Sequence, residues 1–272
     1  MHEPQRTIQG RPTAVPERLL AIFAHPDDET LLIGGTLAAC AAAGVQTMIV
    51  CATRGEQGPI AAPRLATRKT LGAVREAELR KAARVLGGAV VECLGYPDGE
   101  LGSINTRGLQ RELGDYMRNW QPHAVITFGP EGLYWHPDHV AIHRCTLGAW
   151  HSLAREGIKP QLFYASLPKG WARQLVAQMG TRGLPANLWG LRPDDFGVPG
   201  ATITTILDVR LYVRQKLTAL RCHRTQLASD HLFSRLPPDL AREYLGREYF
   251  SRLYPRRRGN DWLTQIVGSG GQ

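Results

Sequence analysis

Residues 19–29 read LLAIFAHPDDE, an apolar run that stops at a histidine, a proline and three acids. Leu19 to Ala24 offers no polar face, the pattern of a strand buried on both sides at the centre of a parallel sheet. Outward from it, strands and helices take turns. Thr30 to Ala43, rich in alanine and leucine, reads as a helix stopped by Gly44, and Val45 to Ala52 as a second strand. A loop, TRGEQGPIAAP, leads to a helical pattern from Arg68 to Leu86 that ends at Gly87-Gly88. Val90 to Leu94 is a strand, Tyr96-Pro97-Asp98-Gly99 a turn, Thr106 to Trp120 a helix and Ala124 to Phe128 a strand. A helix running to Arg155 and a strand at Leu162 to Leu167 follow. This alternation predicts an α/β fold, a Rossmann-like doubly wound, mostly parallel sheet with helices on both faces.

Beyond Leu167 the pattern loosens into an elaborated C-terminal third. Lys169 to Gly200, rich in glycine, proline and tryptophan, is expected to pass over the site as an excursion. Trp171, Trp189 and Phe196 within it either stack on a sugar or pack the excursion against the body. Ala201 to Val209 alternates like a strand and Tyr212 to Gln226 reads as a helix. The tail after Pro237, with Tyr244, Tyr249, Phe250 and Tyr254, is expected to pack back on the body. Residues 1–17 carry three prolines and no periodicity and read as a flexible lead-in, which leaves residues 18–272 as one domain.

Composition removes several classes of function. No stretch approaches the roughly 18 apolar residues of a membrane span, and the polar N-terminus lacks an apolar leader, so a cytoplasmic protein with no membrane partner is expected. Cys40, Cys51, Cys93, Cys145 and Cys222 form no C-x-x-C pair and read as reduced core residues. The net charge is +9, but the basic residues are scattered, and the tightest cluster, Arg256-Arg257-Arg258, is shorter than a nucleic-acid tract. No nucleic-acid partner is expected. Phosphate-loop, dinucleotide-fingerprint and nucleophile-elbow motifs are absent from the sequence.

What remains is imidazole and carboxylate at one sheet edge. Ligands of doubly wound sheets bind beyond the carboxyl ends of the strands, where AHPDDE follows the first strand and HPDH, residues 136–139, the fourth. Helix capping explains one acid of the first cluster, or two, but not a histidine followed by three. His136 and His139, three apart at a helix start, share one side of it. Two histidines and a carboxylate with an open position suit zinc, and a second carboxylate beside the metal's water can take its proton. His139 and His143 also have the i, i+4 spacing of zinc proteases, but Val140 stands where that motif needs a glutamate. His143 therefore reads as a supporting or core residue, and His123 and His151 as structural or exposed.

At these residues the sequence resembles the PIG-L (LmbE-like) deacetylase family, whose A-H-P-D-D-E and H-P-D-H segments both stand here complete, in order within Leu19 to Gln226. The resemblance implies that His25, Asp28 and His139 are the metal ligands, that Asp27 is the general base, and that His136 is a general acid that also stabilises the oxyanion. Tyr134 falls where the mycothiol-pathway branch has a tyrosine that assists at the tetrahedral intermediate. TRGEQG is similar to that branch's T-x-G-E-x-G, which implies that Glu56 lines the substrate pocket. Arg75-Glu76-Ala77-Glu78-Leu79 is similar to its R-x-x-E-L, which makes Arg75 a clamp for polar groups of the substrate. Asp98 matches a sugar-hydroxyl contact, and Arg54 joins Arg75 as a group that could face the site.

The activity so implied is removal of the N-acetyl group from a small N-acetylglucosaminyl compound by zinc-activated water, with acetate and a free amine as products. Another divalent metal such as Fe2+ would serve the same donors, and assembly as a homo-oligomer is left open. Two rivals remain: an amidase of thiol conjugates on the same site, and a non-catalytic carbohydrate- or nucleotide-binding α/β protein whose acids are helix caps.

Overall fold

The protein is described by a computed structural model over residues 16–254 and 261–269. Strand β1 (Arg18–Phe23) is flanked in parallel by β2 (Gln46–Cys51) and β4 (Ala124–Phe128), in registers that set Phe23 beside Cys51 and Ala21 beside Ile126. Both ladders of β1 are thus paired, and Leu19 to Phe23 are completely buried. A strand with partners on both edges and helices on both faces needs no polar residue. β3 (Val90–Cys93) extends the parallel sheet beyond β2, and β5 (Gln161–Ser166) extends it beyond β4. β6 (Thr205–Asp208) lies at the far edge, with β7 (Arg247–Tyr254) inserted antiparallel between it and β5, so the order is 3-2-1-4-5-7-6.

Nine α-helical segments occur among the described residues: α1 (Asp28–Ala42), α2 (Leu71–Val85), α3 (Thr106–Trp120), the irregular turn α4 (Gly132–Trp135), α5 (Pro137–Arg155), α6 (Trp171–Thr181), α7 (Val213–Leu220), the short α8 (Pro238–Leu240) and α9 (Trp262–Ser269). None is long and apolar enough to cross a membrane. α1 packs on α7 and α9, and α7 on α2, while α3 packs on α5. In α3 the apolar face Leu109, Leu113 and Met117 repeats every four residues and is buried, and Asn105 caps the first turn by accepting from the Arg107 N–H.

α1 is bent at Ile33, whose φ of −134° lies outside helical values. A carboxylate from β7 satisfies the backbone that follows: Glu248 accepts from the N–H of Gly35 (2.7 Å) and of Thr36 (2.8 Å) and from the Thr36 hydroxyl (2.6 Å). Lys216 of α7, 2% exposed, pairs with the same carboxylate at 2.6 Å. The close approach explains the glycine here, since a Cβ on Gly35 would lie 2.5 Å from a Val209 methyl.

The mostly parallel α/β sheet agrees with the alternation of the sequence. Several boundaries do not. The helix expected from Arg68 begins at Leu71, and the strand expected from Ala201 begins at Thr205, after a 3-10 turn at Gly200–Thr202. The helix expected over Tyr212–Gln226 ends at Leu220, because side-chain bonds to neighbouring segments take over the backbone beyond it: Glu78 accepts from the Thr225 N–H (3.0 Å) and hydroxyl (2.6 Å). The excursion contains a helix, α6. Its Trp171 is buried and donates to the Tyr244 carbonyl, so it packs the body and does not face a ligand. The tail does return to the body, as β7, with Phe250 fully buried. The five cysteines are unpaired. Residues 1–15 of the lead-in and Arg256-Arg257-Arg258 lie outside the described residues.

Candidate metal centre and active site

The strand order reverses between β1 and β4, and the chains leaving these strands carry His25-Pro26-Asp27-Asp28 and Gly129 to His139 to the same crevice. His25 Nδ1 lies 3.1 Å from His139 Nε2, and Asp28 reaches both rings, with Oδ2 3.5 Å from His25 Nδ1 and Oδ1 3.4 Å from His139 Nε2. Four tetrahedral bonds of about 2.0–2.1 Å hold their donor atoms roughly 3.3–3.4 Å apart, close to the separations here, with Asp28 Oδ1 the oxygen left for an ion because Oδ2 accepts from the His25 N–H at 2.8 Å. All three residues are buried.

The outer nitrogens of both rings are held. His139 Nδ1 is 3.0 Å from the Gly132 carbonyl, to which it donates, leaving the Nε2 lone pair for a metal, and its ring stacks on Phe128 at 4.0 Å. His25 Nε2 faces Asp98 (3.0 Å) and Asp138 (3.2 Å), which fixes its proton there and turns the Nδ1 lone pair inward. Asp138 is itself anchored by the N–H groups of Gly99 (2.7 Å) and Leu101 (3.0 Å). His25 also belongs to two other donor groups, His25-His136-His139 and His25-Asp98-Asp138, within 4.8 Å. The second uses the outward nitrogen of His25, whereas the inward lone pairs of both rings meet at Asp28.

The electrostatics call for a cation. Burial opposes a charge on His25, but Asp138, Asp28 and Asp98 outweigh it and hold the pKa well above its ordinary value. Burial pushes His139 down to about 3, with the charges of His25 and His136 adding to it. Burial would raise Asp28, yet His139 and His25 carry it below the usual carboxylate range. One positive charge is therefore favoured between the two inward nitrogens and Asp28, as a proton or as a metal ion.

Asp27 stands at the N-cap of α1 but makes no capping bond. It adopts φ 114°, rare for a residue with a side chain. Three bonds hold that backbone: the Asp27 N–H donates to Glu29 (3.1 Å), and Arg75 Nη2 donates to the Pro26 carbonyl (2.6 Å) and to Asp27 Oδ2 (3.0 Å). Burial raises Asp27 to about 6 against the opposing pull of Arg75. Behind it Glu29, fully buried, accepts from the Thr30 hydroxyl and lies 3.6 Å from His223 Nε2.

A cavity of about 240 Å³ opens over this cluster, lined by His25, Asp27, Asp28, Arg75, Asp98, Tyr134 and His136 together with Leu31, Gln57, Pro59, Trp189, His223 and Gln226. His136 caps α5, its Nδ1 accepting from the Asp138 N–H at 3.2 Å, and its ring centroid lies 5.0 Å from His25 and 4.7 Å from His139. Burial and the charge on His25 hold its pKa below the ordinary value. Tyr134 packs edge-on to His139 (5.3 Å) and against Phe196 (5.2 Å). Among the described residues, four of the five non-glycine residues with positive φ, Asp27, Leu133, Trp135 and Trp189, lie in or beside this site. Strain of this kind concentrates where geometry serves function.

The structure thus brings His25, Asp27, Asp28, Arg75, Asp98, Tyr134, His136 and His139 together. It does not bring Glu56 to the cavity wall: Glu56 Oε1 accepts from the Asp98 N–H (3.0 Å) and braces the loop from behind, while Gln57, Gly58 and Pro59 face the cavity. Arg54 turns away to Glu76 at 2.9 Å. Both terminal nitrogens of Arg75 are engaged, on Gly55, Pro26 and Asp27, so it holds the protein's own acid instead of reaching out to clamp a ligand. The Asp98 carboxylate is likewise taken up by His25 and the Gln57 N–H. His143 bonds the Phe128 carbonyl and packs on Tyr164; His123 and His151 are exposed. Trp189 lines the cavity, whereas Phe196 is buried against Tyr134.

Sequence reasoning missed His223 and Gln226. His223 is 1% exposed, and its Nδ1 is buried without a hydrogen-bond partner among the described residues. Both sit in what reads as the end of a helix, where the polar run HRTQ follows a segment that already carries Arg214, Gln215, Lys216 and Arg221 and so gives no distinct local signal.

The PIG-L family, described as GlcNAc-PI de-N-acetylase, matches residues 20–150. A 1D-myo-inositol 2-acetamido-2-deoxy-alpha-D-glucopyranoside deacetylase of Geodermatophilus obscurus is 31% identical over 275 residues, spanning 89% of this chain and 93% of the relative. The chain belongs to the PIG-L family. A second deacetylase of the same description, from Saccharopolyspora erythraea, is 33% identical over 78% of each chain. Among solved structures, the N,N'-diacetylchitobiose deacetylase of Pyrococcus horikoshii shares the fold, with a TM-score of 0.60 at 24% identity over 87% of this chain and 82% of that one. The two PIG-L segments of the sequence, AHPDDE and HPDH, supply His25, Asp28 and His139 from opposite sides of the crevice. The expected hydrolase class agrees with membership of a de-N-acetylase family.

Proposed function

We propose that this chain is a zinc-dependent deacetylase that hydrolyses the N-acetyl group of a small N-acetylglucosaminyl compound, with an inositol glycoside as the leading candidate because the relatives aligned over most of the chain carry that description. The observation that carries the reading is the convergence of His25, Asp28 and His139 at 3.1–3.5 Å, with Asp27 beside them in a cavity sized for one sugar ring. His25, Asp28 and His139 would hold a divalent cation, which when bound would supply Lewis acidity toward a water and the amide carbonyl.

The remaining chemistry belongs to the chain. Asp27, kept ionised against its burial by Arg75, accepts the proton of the attacking water on the oxygen that Arg75 leaves free. His136 spends Nδ1 on the Asp138 N–H, so the neutral ring carries its proton on Nε2 and donates it as a hydrogen bond to the developing oxyanion, with the Tyr134 hydroxyl as a second donor. Burial keeps Tyr134 protonated, its pKa well above the ordinary value. The sequence resemblance also makes His136 the acid for the leaving amine. With Nδ1 already accepting and the pKa lowered, the ring is placed as a neutral donor, and the proton collected by Asp27 is the one that passes to the leaving nitrogen. Half-buried Asp27, its pKa raised to about 6, suits both halves of that transfer.

The test is acetate release by zinc-loaded protein from N-acetylglucosamine linked to inositol, to malate and to a second sugar, with an N-acyl thiol conjugate as a further substrate. Equimolar acetate and free amine from one of the glycosides is the expected result. Cleavage of the thiol conjugate alone, or of no substrate, overturns the reading.

A further inference from the structure

Residues 57–65 and 221–229 form a seam with two sides. Ala61 donates its N–H to the Thr225 carbonyl at 2.8 Å, and the Gln226 side chain donates to the Pro59 carbonyl at 3.1 Å. On one side Gln57, Pro59, Gln226 and Leu227 line the catalytic cavity. On the other a second cavity of about 410 Å³ is lined by Arg64, Arg221, Arg224, Ser229 and Ser234 over a floor of small apolar residues. Leu227 belongs to both walls, so the second cavity adjoins the first.

The charge in this second cavity is uncompensated. Its lining has three guanidinium groups and no carboxylate. All three arginines are exposed, and none makes a side-chain hydrogen bond or ion pair among the described residues. Some exposed arginines pair with a carboxylate, among them Arg118, Arg182 and Arg210, and others such as Arg107, Arg111 and Arg144 do not; what sets Arg64, Arg221 and Arg224 apart is that they line one concavity. Gathering like charges around one concavity is unfavourable unless an anion enters it, and the planar guanidinium fork matches phosphate and carboxylate oxygens. The catalytic cavity, about 240 Å³, is smaller than the roughly 300–1,000 Å³ that encloses a drug-sized ligand, so whatever is attached to the N-acetyl sugar must extend beyond it.

We infer that the Arg64, Arg221 and Arg224 cavity is an anion subsite for the distal end of the substrate, taking a phosphate monoester or a carboxylate while the N-acetyl sugar lies over Asp27 and His136. This rests on the deacetylase reading and narrows its substrate class to acidic glycosides.

The experiment compares steady-state kinetics of three substrates: N-acetylglucosaminyl inositol, the same glycoside bearing a phosphate monoester on the inositol, and N-acetylglucosaminyl malate. At least one acidic glycoside is expected to show a KM about tenfold below the neutral one at similar kcat, the advantage shrinking as salt rises from about 50 mM to about 500 mM. Which acid gains more distinguishes phosphate from carboxylate. The triple variant R64A/R221A/R224A, altered only at exposed side chains, is expected to lose that advantage and keep the KM for the neutral glycoside. Equal KM values in the wild type, or an advantage that survives in the variant, overturn the inference. If no glycoside is cleaved, the deacetylase reading has failed, and calorimetry with inositol phosphate then decides the subsite alone: binding by wild type and not by the variant supports it, and no binding by wild type overturns it.

Discussion

Replacing Arg75 by methionine removes the main charge that opposes protonation of Asp27. Burial raises the Asp27 carboxyl to about 6, and the guanidinium 3.0 Å away is the first force acting the other way, with His223 a weaker second. An arginine at such a distance lowers a carboxylate pKa by about 1–3 units, so in Arg75→Met the group should titrate between about 7 and 9. At pH 7 the ionised fraction falls from about 0.9 to between about 0.5 and about 0.01. The sign follows from the role of Asp27 as a base: kcat/KM is lost at the acid end, and the loss is recovered as pH rises. A cation bound at the neighbouring site lowers both proteins' values, so the displacement between the two profiles is the quantity to read. The assay is kcat/KM from about pH 5 to about pH 10 on metal-loaded wild type, Arg75→Met and Arg75→Lys, with metal content and Tm recorded for each. Arg75 also donates to the Gly55 and Pro26 carbonyls, so some stability will be lost, on the order of 1–3 kcal/mol per orphaned carbonyl. Arg75→Lys keeps a charge and should shift less. An acid limb unmoved in a folded, metal-loaded Arg75→Met protein would show that Arg75 does not set the ionisation of Asp27.

Three other predictions concern the surroundings. His136→Asn keeps an acceptor for the Asp138 N–H and an amide donor toward the crevice, so it should retain at least about tenfold more activity than His136→Ala; equal rates would show that His136 acts as more than a hydrogen-bond donor. Glu248→Ala leaves Lys216 buried and unpaired beneath the bend in α1 and should cost about 3–5 kcal/mol in urea unfolding, much of it regained in the Glu248→Ala/Lys216→Met double variant. Burial holds His231 at about 4, so from about pH 6.5 downward the unfolded chain takes up a proton that the folded chain refuses, and stability falls by up to about 3 kcal/mol before levelling near pH 4. His231→Asn, which preserves an acceptor for the Phe233 N–H, should remove that part of the acid sensitivity; an unchanged slope would contradict it.

How much of this was legible in the sequence depended on whether the information was local. LLAIFA announces a central strand because every residue is apolar, and AHPDDE and HPDH announce a site because no packing requirement asks for that chemistry at two strand ends. β7 was not legible. Its buried face carries Glu248, Phe250 and Arg252, so the alternation that marks a strand is inverted by two buried charges whose partners, Lys216 and Asp261, lie elsewhere in the chain. His223 was hidden for a related reason: beyond the helix before it, Thr225 donates its N–H and hydroxyl to Glu78, which sequence periodicity does not record. Glu56 and Arg75 were recognised as residues of the site, but their hydrogen bonds turn them toward the protein's own groups, Glu56 to the Asp98 N–H and Arg75 to the Asp27 carboxylate.

If His25, Asp28 and His139 hold a catalytic divalent metal, Asp27 beside them does chemistry without holding it. Metal content per chain, measured with acetate release on the same preparations of wild type, Asp27→Ala and His139→Ala, tests this most directly. About one metal and full activity are expected in wild type, about one metal and a loss of at least about a hundredfold in rate in Asp27→Ala, and little metal and little activity in His139→Ala. Full metal content in His139→Ala, or full activity in metal-free wild type, would contradict it.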